Sequence, residues 1–160
     1  MKLPANDYLK YWRVIRYYIM AKHNISVSNL DLILFLFSED YFKRAKFTEY
    51  SEIMRWDKER FPRLIEEGWI EIFRKGTRNK AQIYKLTDKS RRIVLDIYRK
   101  LNGEEIPMTP ENNPLFMKNV PYTHKVYRNM IISMTQYTRE KAKKTRQATK
   151  EKRQTQSDES

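Results

Sequence analysis

Apolar side chains at Tyr8, Trp12, Ile15 and Ile19, with Lys10, Arg13 and Arg16 between them, predict an amphipathic helix over residues 8–22 that stops near His23 and Asn24. A second helix begins at Ser28, whose side chain can cap free backbone N–H groups, with Asp31 in its first turn. Its run from Leu30 to Phe37 is apolar nearly all round, which predicts the centre of a core. After the charged turn 38–44, Lys46-Phe47 reads as one strand rung, and Thr48 as the N-cap of a short helix over 49–55. A break at Trp56-Asp57 leads into a helix over 58–67, capped by Asp57, with Phe61, Leu64 and Ile65 buried and Gly68 in the left-handed position after its end. Two short helices around a tight turn make a helix-turn-helix.

The period then changes from helical to alternating. Residues 69–73 and 81–86 are rich in β-branched and aromatic types, and the polar loop 75–80 with Gly76 joins them as a β-hairpin. Trp69, Phe73 and Tyr84 belong to the core rather than to a stacking platform for single strands, because they lie beside Ile70 and Ile83. Thr87 caps a further helix with Ile93, Val94, Ile97 and Leu101 on one face, closing near Gly103. Pro107, Pro110, Pro114 and Pro121 make 104–121 an extended connector. A last helix over 122–138 carries Val126, Met130, Met134 and Tyr137 in one stripe. Residues 139–153 hold eight Lys or Arg against two Glu, and with the polar end they form a basic tail, 139–160, expected to be disordered when free.

The fold expected is mainly α with a small β-hairpin: a winged helix-turn-helix over 1–103 with N- and C-terminal helical extensions. The length of 160 residues suits one domain with extra elements. A formal charge of +13, from 33 Lys and Arg against 20 Asp and Glu, draws such a chain to polyanions. The chain has no cysteine, and its two histidines, His23 and His124, lie far apart, so no zinc site is expected. The apolar run 32–37 is far too short to span a membrane, and the first residues lack a signal-peptide pattern, so the expectation is an intracellular, cytoplasmic protein. No catalytic triad, zinc-binding HExxH or glycine-rich phosphate loop occurs, and the carboxylates Asp31, Glu49, Glu52 and Asp57 take capping or solvent positions. No enzymatic activity, cofactor or metal is expected.

Two stretches resemble the MarR family of winged-helix transcription regulators. Residues 64–71, Leu-Ile-Glu-Glu-Gly-Trp-Ile-Glu, are similar to that family's exit from the recognition helix. Residues 85–92, Lys-Leu-Thr-Asp-Lys-Ser-Arg-Arg, are similar to its exit from the wing. Three features depart from the pattern: the stretch 47–68 is several residues shorter, Pro62 removes a hydrogen bond from the second helix, and Ser90 stands where the family often has glycine. The resemblance implies a homodimer in which helices 8–22 and 122–137 intertwine, bound to double-stranded DNA. Such proteins often bind phenolic effectors, and Trp12, Tyr17 and Tyr18 are the aromatic residues placed to line a pocket or to pack the dimer.

The contact chemistry divides between wing and helix. Arg74, Lys75, Arg78, Lys80, Lys85, Lys89, Arg91 and Arg92 face the single acid Asp88 over 74–92, a balance suited to phosphates, with Arg78 at the tip; the plainer alternative is a solvated hairpin. Lys58, Arg60 and Arg63 lie on the N-terminal half of the second helix, where base edges are read, although Glu59, Glu66 and Glu67 dilute the patch. Exposed ion pairs within that helix explain Arg60 and Arg63 equally well. Arg55 is placed for a phosphate. A different class of function also fits: a docking or structural module of a viral particle or nucleoprotein assembly, holding a protein partner through the C-terminal arm.

Overall fold

The computed structural model describes residues 7–57 and 59–158 and divides into two compact units, 23–99 and 1–22 with 100–160. Within 23–99 the order is α2 (Val27–Phe37), β1 (Tyr41–Phe42), α3 (Arg44–Met54), α4 (Arg60–Glu66), β2 (Ile70–Arg74), β3 (Ile83–Leu86) and α5 (Asp88–Leu101), which runs two residues on into the other unit. The three strands are antiparallel in the order β1-β3-β2. A helix, a short strand, a helix-turn-helix and a hairpin whose return strand lies centrally make a winged helix, as the sequence predicted.

Burial explains why the elements form where they do. Leu30, Leu32, Ile33 and Leu36 of α2 are buried, and Phe35 stands half-exposed against Tyr50 and Trp56. Phe47, Phe61 and Tyr84 form an aromatic cluster with centroids 5.0 and 4.9 Å apart in succession, joined by Trp56 on Phe47 at 6.0 Å. Fully burying a side chain of this kind is worth about 1.5–3 kcal/mol. Phe47 enters that cluster from the first turn of α3, which starts at Arg44, three residues before it. The expected strand rung at Lys46-Phe47 is therefore helical, and the rung lies at Tyr41-Phe42, paired with Lys85 and Tyr84. Thr48 is no N-cap: its hydroxyl donates to the Arg44 carbonyl at 3.2 Å inside α3.

Other boundaries shift for local reasons. Ser26, not Ser28, caps α2 by accepting from the Asn29 N–H at 3.2 Å, which takes Asp31 out of the first turn. α3 ends at Arg55 in the left-handed conformation, φ 53°. α4 begins at Arg60, and the Asp57 carboxylate caps the preceding turn by accepting from the Glu59 N–H at 3.1 Å. Pro62 is thus the third helical residue, where a backbone N–H has no intrahelical acceptor, so no hydrogen bond is lost there. Gly68 has φ +76°, as expected after the helix end.

The wing is fastened to α5 at one place. Thr87 accepts from the Ser90 N–H at 3.3 Å and donates its hydroxyl to the Gly68 carbonyl at 2.7 Å. Ser90, fully buried, donates its hydroxyl to the Trp69 carbonyl at 2.7 Å. The serine that departs from the resemblance therefore ties the start of β2 to the first turn of α5. Trp69 and Tyr84 are core, but Phe73 is 51% exposed. Alternation along β2 gives the inner face to Ile70, so Phe73 falls on the outer face, against Tyr41 at 4.3 Å between centroids.

In the other unit, α1 (Tyr8–His23) buries Val14, Ile15, Tyr18 and Ile19, with Tyr8 left 38% exposed. Tyr17 stacks on Tyr127 at 3.8 Å, and the Tyr127 hydroxyl accepts from Arg13 Nε at 3.2 Å. Tyr17 and Tyr18 are accordingly packing residues. The connector is extended but held: Ile106, Asn113 and Leu115 are buried, and Asn113 donates to the Pro107 carbonyl at 2.8 Å and accepts from the Leu115 N–H at 3.0 Å. A 3-10 turn spans Pro114–Phe116. α6 runs from Tyr122 to Asp158, so the segment expected as a disordered tail is helical through residue 158. Alanine, lysine, arginine, glutamine and glutamate dominate there, all strong helix formers, with neither glycine nor proline to interrupt them.

Candidate nucleic-acid interface

The wing projects as a hairpin closed by a tight turn. Thr77 and Lys80 exchange two backbone hydrogen bonds, 2.9 and 3.2 Å, which leaves Arg78 and Asn79 at the tip. Gly76 permits this approach: a Cβ there would lie 3.0 Å from the Gln82 backbone nitrogen and 3.1 Å from the Lys80 carbonyl oxygen. A register shift between Ile72 and Arg74 bends β2 on its way to the tip.

The predicted cations fall into two groups. Arg74, Lys75, Arg78 and Lys80 on the wing, with Arg92 on α5 and Arg55 after α3, are exposed and make no ion pair or side-chain hydrogen bond with any described residue. The rest are engaged. Arg60 is half-buried and donates to the Asn29 side-chain oxygen at 3.2 Å. Arg63 lies 3.8 Å from Asp57 and 3.6 Å from Glu59. Lys85 pairs with Glu71 at 3.2 Å across the sheet. Lys89 sits over the Trp69 ring at 3.7 Å and donates to the Glu67 carbonyl at 3.4 Å. Arg91 reaches Asp40 at 3.8 Å and lies over Phe37. Lys58 lies outside the described residues.

Both arginines of α4 are thus engaged, Arg60 by Asn29 of α2 and Arg63 by Asp57 and Glu59, while the wing keeps four unshared positive charges on one small hairpin. Lys43, which the sequence pattern does not single out, is exposed at the N-cap of α3 and has no partner among the described residues. A helix start expected at Thr48 puts it in a charged turn instead. Lys46, one turn on, is bound to Glu49 at 3.1 Å, and that hydrogen bond raises its pKa above the ordinary lysine value. Among the described residues no group of three His, Asp or Glu side chains could hold a metal ion. No described helix is long and apolar enough to cross a membrane.

Comparison with known proteins adds one solved structure. A mutant of MarR from E. coli in complex with operator DNA matches with 15% sequence identity over 79% of this chain and 85% of that chain, at a TM-score of 0.42. No protein-family model and no curated protein sequence matches the chain.

Proposed function

We propose that this protein binds double-stranded DNA as a regulator of the MarR type, with the wing as its main grip on the phosphate backbone. The observation that carries the reading is the set of free, exposed cations Arg74, Lys75, Arg78 and Lys80 on a hairpin stiffened by its own cross-strand bonds. Cations held apart from carboxylates release counterions when they meet phosphates, and an arginine at a hairpin tip can enter a minor groove. Arg92, Arg55 and Lys43 supply further phosphate contacts. Arg60 and Arg63, already partnered, contribute less to base readout, so affinity exceeds sequence discrimination. The resemblance in residues 64–71 and 85–92 supports the regulator assignment.

The same proposal includes a homodimer through α1 and α6. Val126, Met130 and Tyr137 are 38%, 43% and 58% exposed, and with Tyr11 and Val14 they line a groove of about 540 Å³. An apolar stripe along a helix is covered at lowest cost by a second copy of the same stripe. Fluorescence anisotropy of labelled duplexes of unrelated sequence, titrated at low salt, tests the central reading. Saturable binding of all of them is expected, and a flat titration would refute it.

A further inference from the structure

The C-terminal half of α6 carries a charge arrangement that composition alone conceals. Residues 139–158 hold eight Lys or Arg and three acids, with alanine the only apolar type. At 100° per residue, Arg139, Lys143, Arg146, Lys150 and Arg153 share one sector about 80° wide, and Glu140, Glu151 and Asp158 share another, about 60° or more away. Adjacent cations of the stripe are three or four residues apart, so the stripe is about 21 Å long at 1.5 Å per residue. Arg139 is forked onto Glu105, with bonds of 2.8 and 2.7 Å. Lys143, Arg146, Lys150 and Arg153 are exposed and have no partner among the described residues.

Such a stripe is costly to an isolated helix. Like charges three and four residues apart repel, each pair by a few tenths of a kcal/mol. Among the described residues no ion pair within 140–157 offsets this, and the hydroxyls of Thr145, Thr149 and Thr155 are turned back onto helix carbonyls. The helix buries nothing that would hold the charges in line: residues 140–157 are all exposed. A partner that rewards the alignment must be a linear polyanion. A membrane surface is disfavoured because no apolar face lies opposite the stripe to enter the lipid. Duplex DNA presents a charge about every 3.4 Å of helix axis on each strand, or about every 1.7 Å with both strands counted, a density that can serve all four free cations of the stripe.

We infer that residues 139–158 form a second, helical DNA-contacting arm, in which Lys143, Arg146, Lys150 and Arg153 line one face against the phosphodiester backbone. The choice of ligand rests on the nucleic-acid reading of the wing, but the residues are separate from it. The test uses the full chain and a labelled duplex over a range of salt concentrations. Replacing Lys143, Arg146, Lys150 and Arg153 by glutamine should lower the slope of log affinity against log salt by about 3.6, at roughly 0.9 per phosphate contact. A second variant, with Arg146→Ala, Ala148→Arg, Arg153→Thr and Thr155→Arg, keeps the composition and net charge but moves two cations to the opposite side. It should lose about half as much slope, by the same rule. A wild-type slope in both variants, while the wild-type protein binds DNA, overturns the arm and leaves the wing reading intact. No binding by the wild-type protein removes both. Equal competition by polyglutamate, or preference for duplex RNA, would assign the arm to another ligand and overturn it too.

Discussion

Replacing Arg74, Lys75, Arg78 and Lys80 together by glutamine removes four positive charges that no described carboxylate neutralises. None of the four side chains is buried, so the hairpin should keep its fold through the Thr77–Lys80 backbone bonds and the Thr87 and Ser90 contacts at its base. If each cation meets one phosphate, the salt slope falls by about 3.6. Between 50 and 200 mM salt the wild-type protein should then lose about 150-fold more affinity than the variant, since 3.6 multiplied by the 0.6 log units of salt is about 2.2. Anisotropy titrations at four or five salt concentrations read this directly, with far-ultraviolet circular dichroism to verify the fold. The companion variant Arg63→Gln, which loses a side chain already paired with Asp57 and Glu59, should change the slope by much less than one charge's worth. A quadruple variant with the wild-type slope, or an Arg63 variant that costs as much as a wing cation, would refute the division between free and spent charges.

Three other outcomes are expected. Ser90→Ala deletes the buried hydroxyl bond to Trp69 and should cost about 1 kcal/mol, or roughly 2–4 °C in Tm for a chain of this size; an unchanged calorimetric Tm would show that the Ser90 bond does not help to fasten the wing. The Glu105 carboxyl is held below the ordinary carboxylate range by its hydrogen bonds from Arg139, aided by their charge attraction and opposed by burial. Its contribution to stability is therefore present above the ordinary carboxylate pKa and lost as pH falls through the lowered one. In Arg139→Gln, NMR titration of the Glu105 side chain should find it back near the ordinary value, and no upward movement would contradict the assigned cause. Size-exclusion with light scattering should give twice the chain mass for the wild-type protein and the single-chain mass for Met130→Glu combined with Tyr137→Glu, whereas a wild-type monomer would exclude the α1 and α6 interface.

Much of this architecture was legible in the sequence where a residue's role is settled by near neighbours. The apolar run of α2, the alternation of β2 and β3, and the positions of Gly68 and Thr87 are local signals, and each element formed within a few residues of its expected place. The basic excess on the wing was readable for the same reason: cations with almost no acid near them in sequence have few nearby partners to find. Three things needed the tertiary structure. The start of α3 depends on Phe47 meeting Phe61 and Tyr84, residues far along the chain, and that packing overrides the local preference of Thr48 for a cap. The availability of an arginine depends on which carboxylate or amide folding brings to it: the i,i+4 pair of Arg63 with Glu59 is readable along the helix, but the hold of Asn29, thirty-one residues away, on Arg60 is not. The exposure of Phe73 and the apolar stripe of α6 depends on what the rest of the chain leaves uncovered. Periodicity assigns a residue to a face, but only packing decides which face is buried.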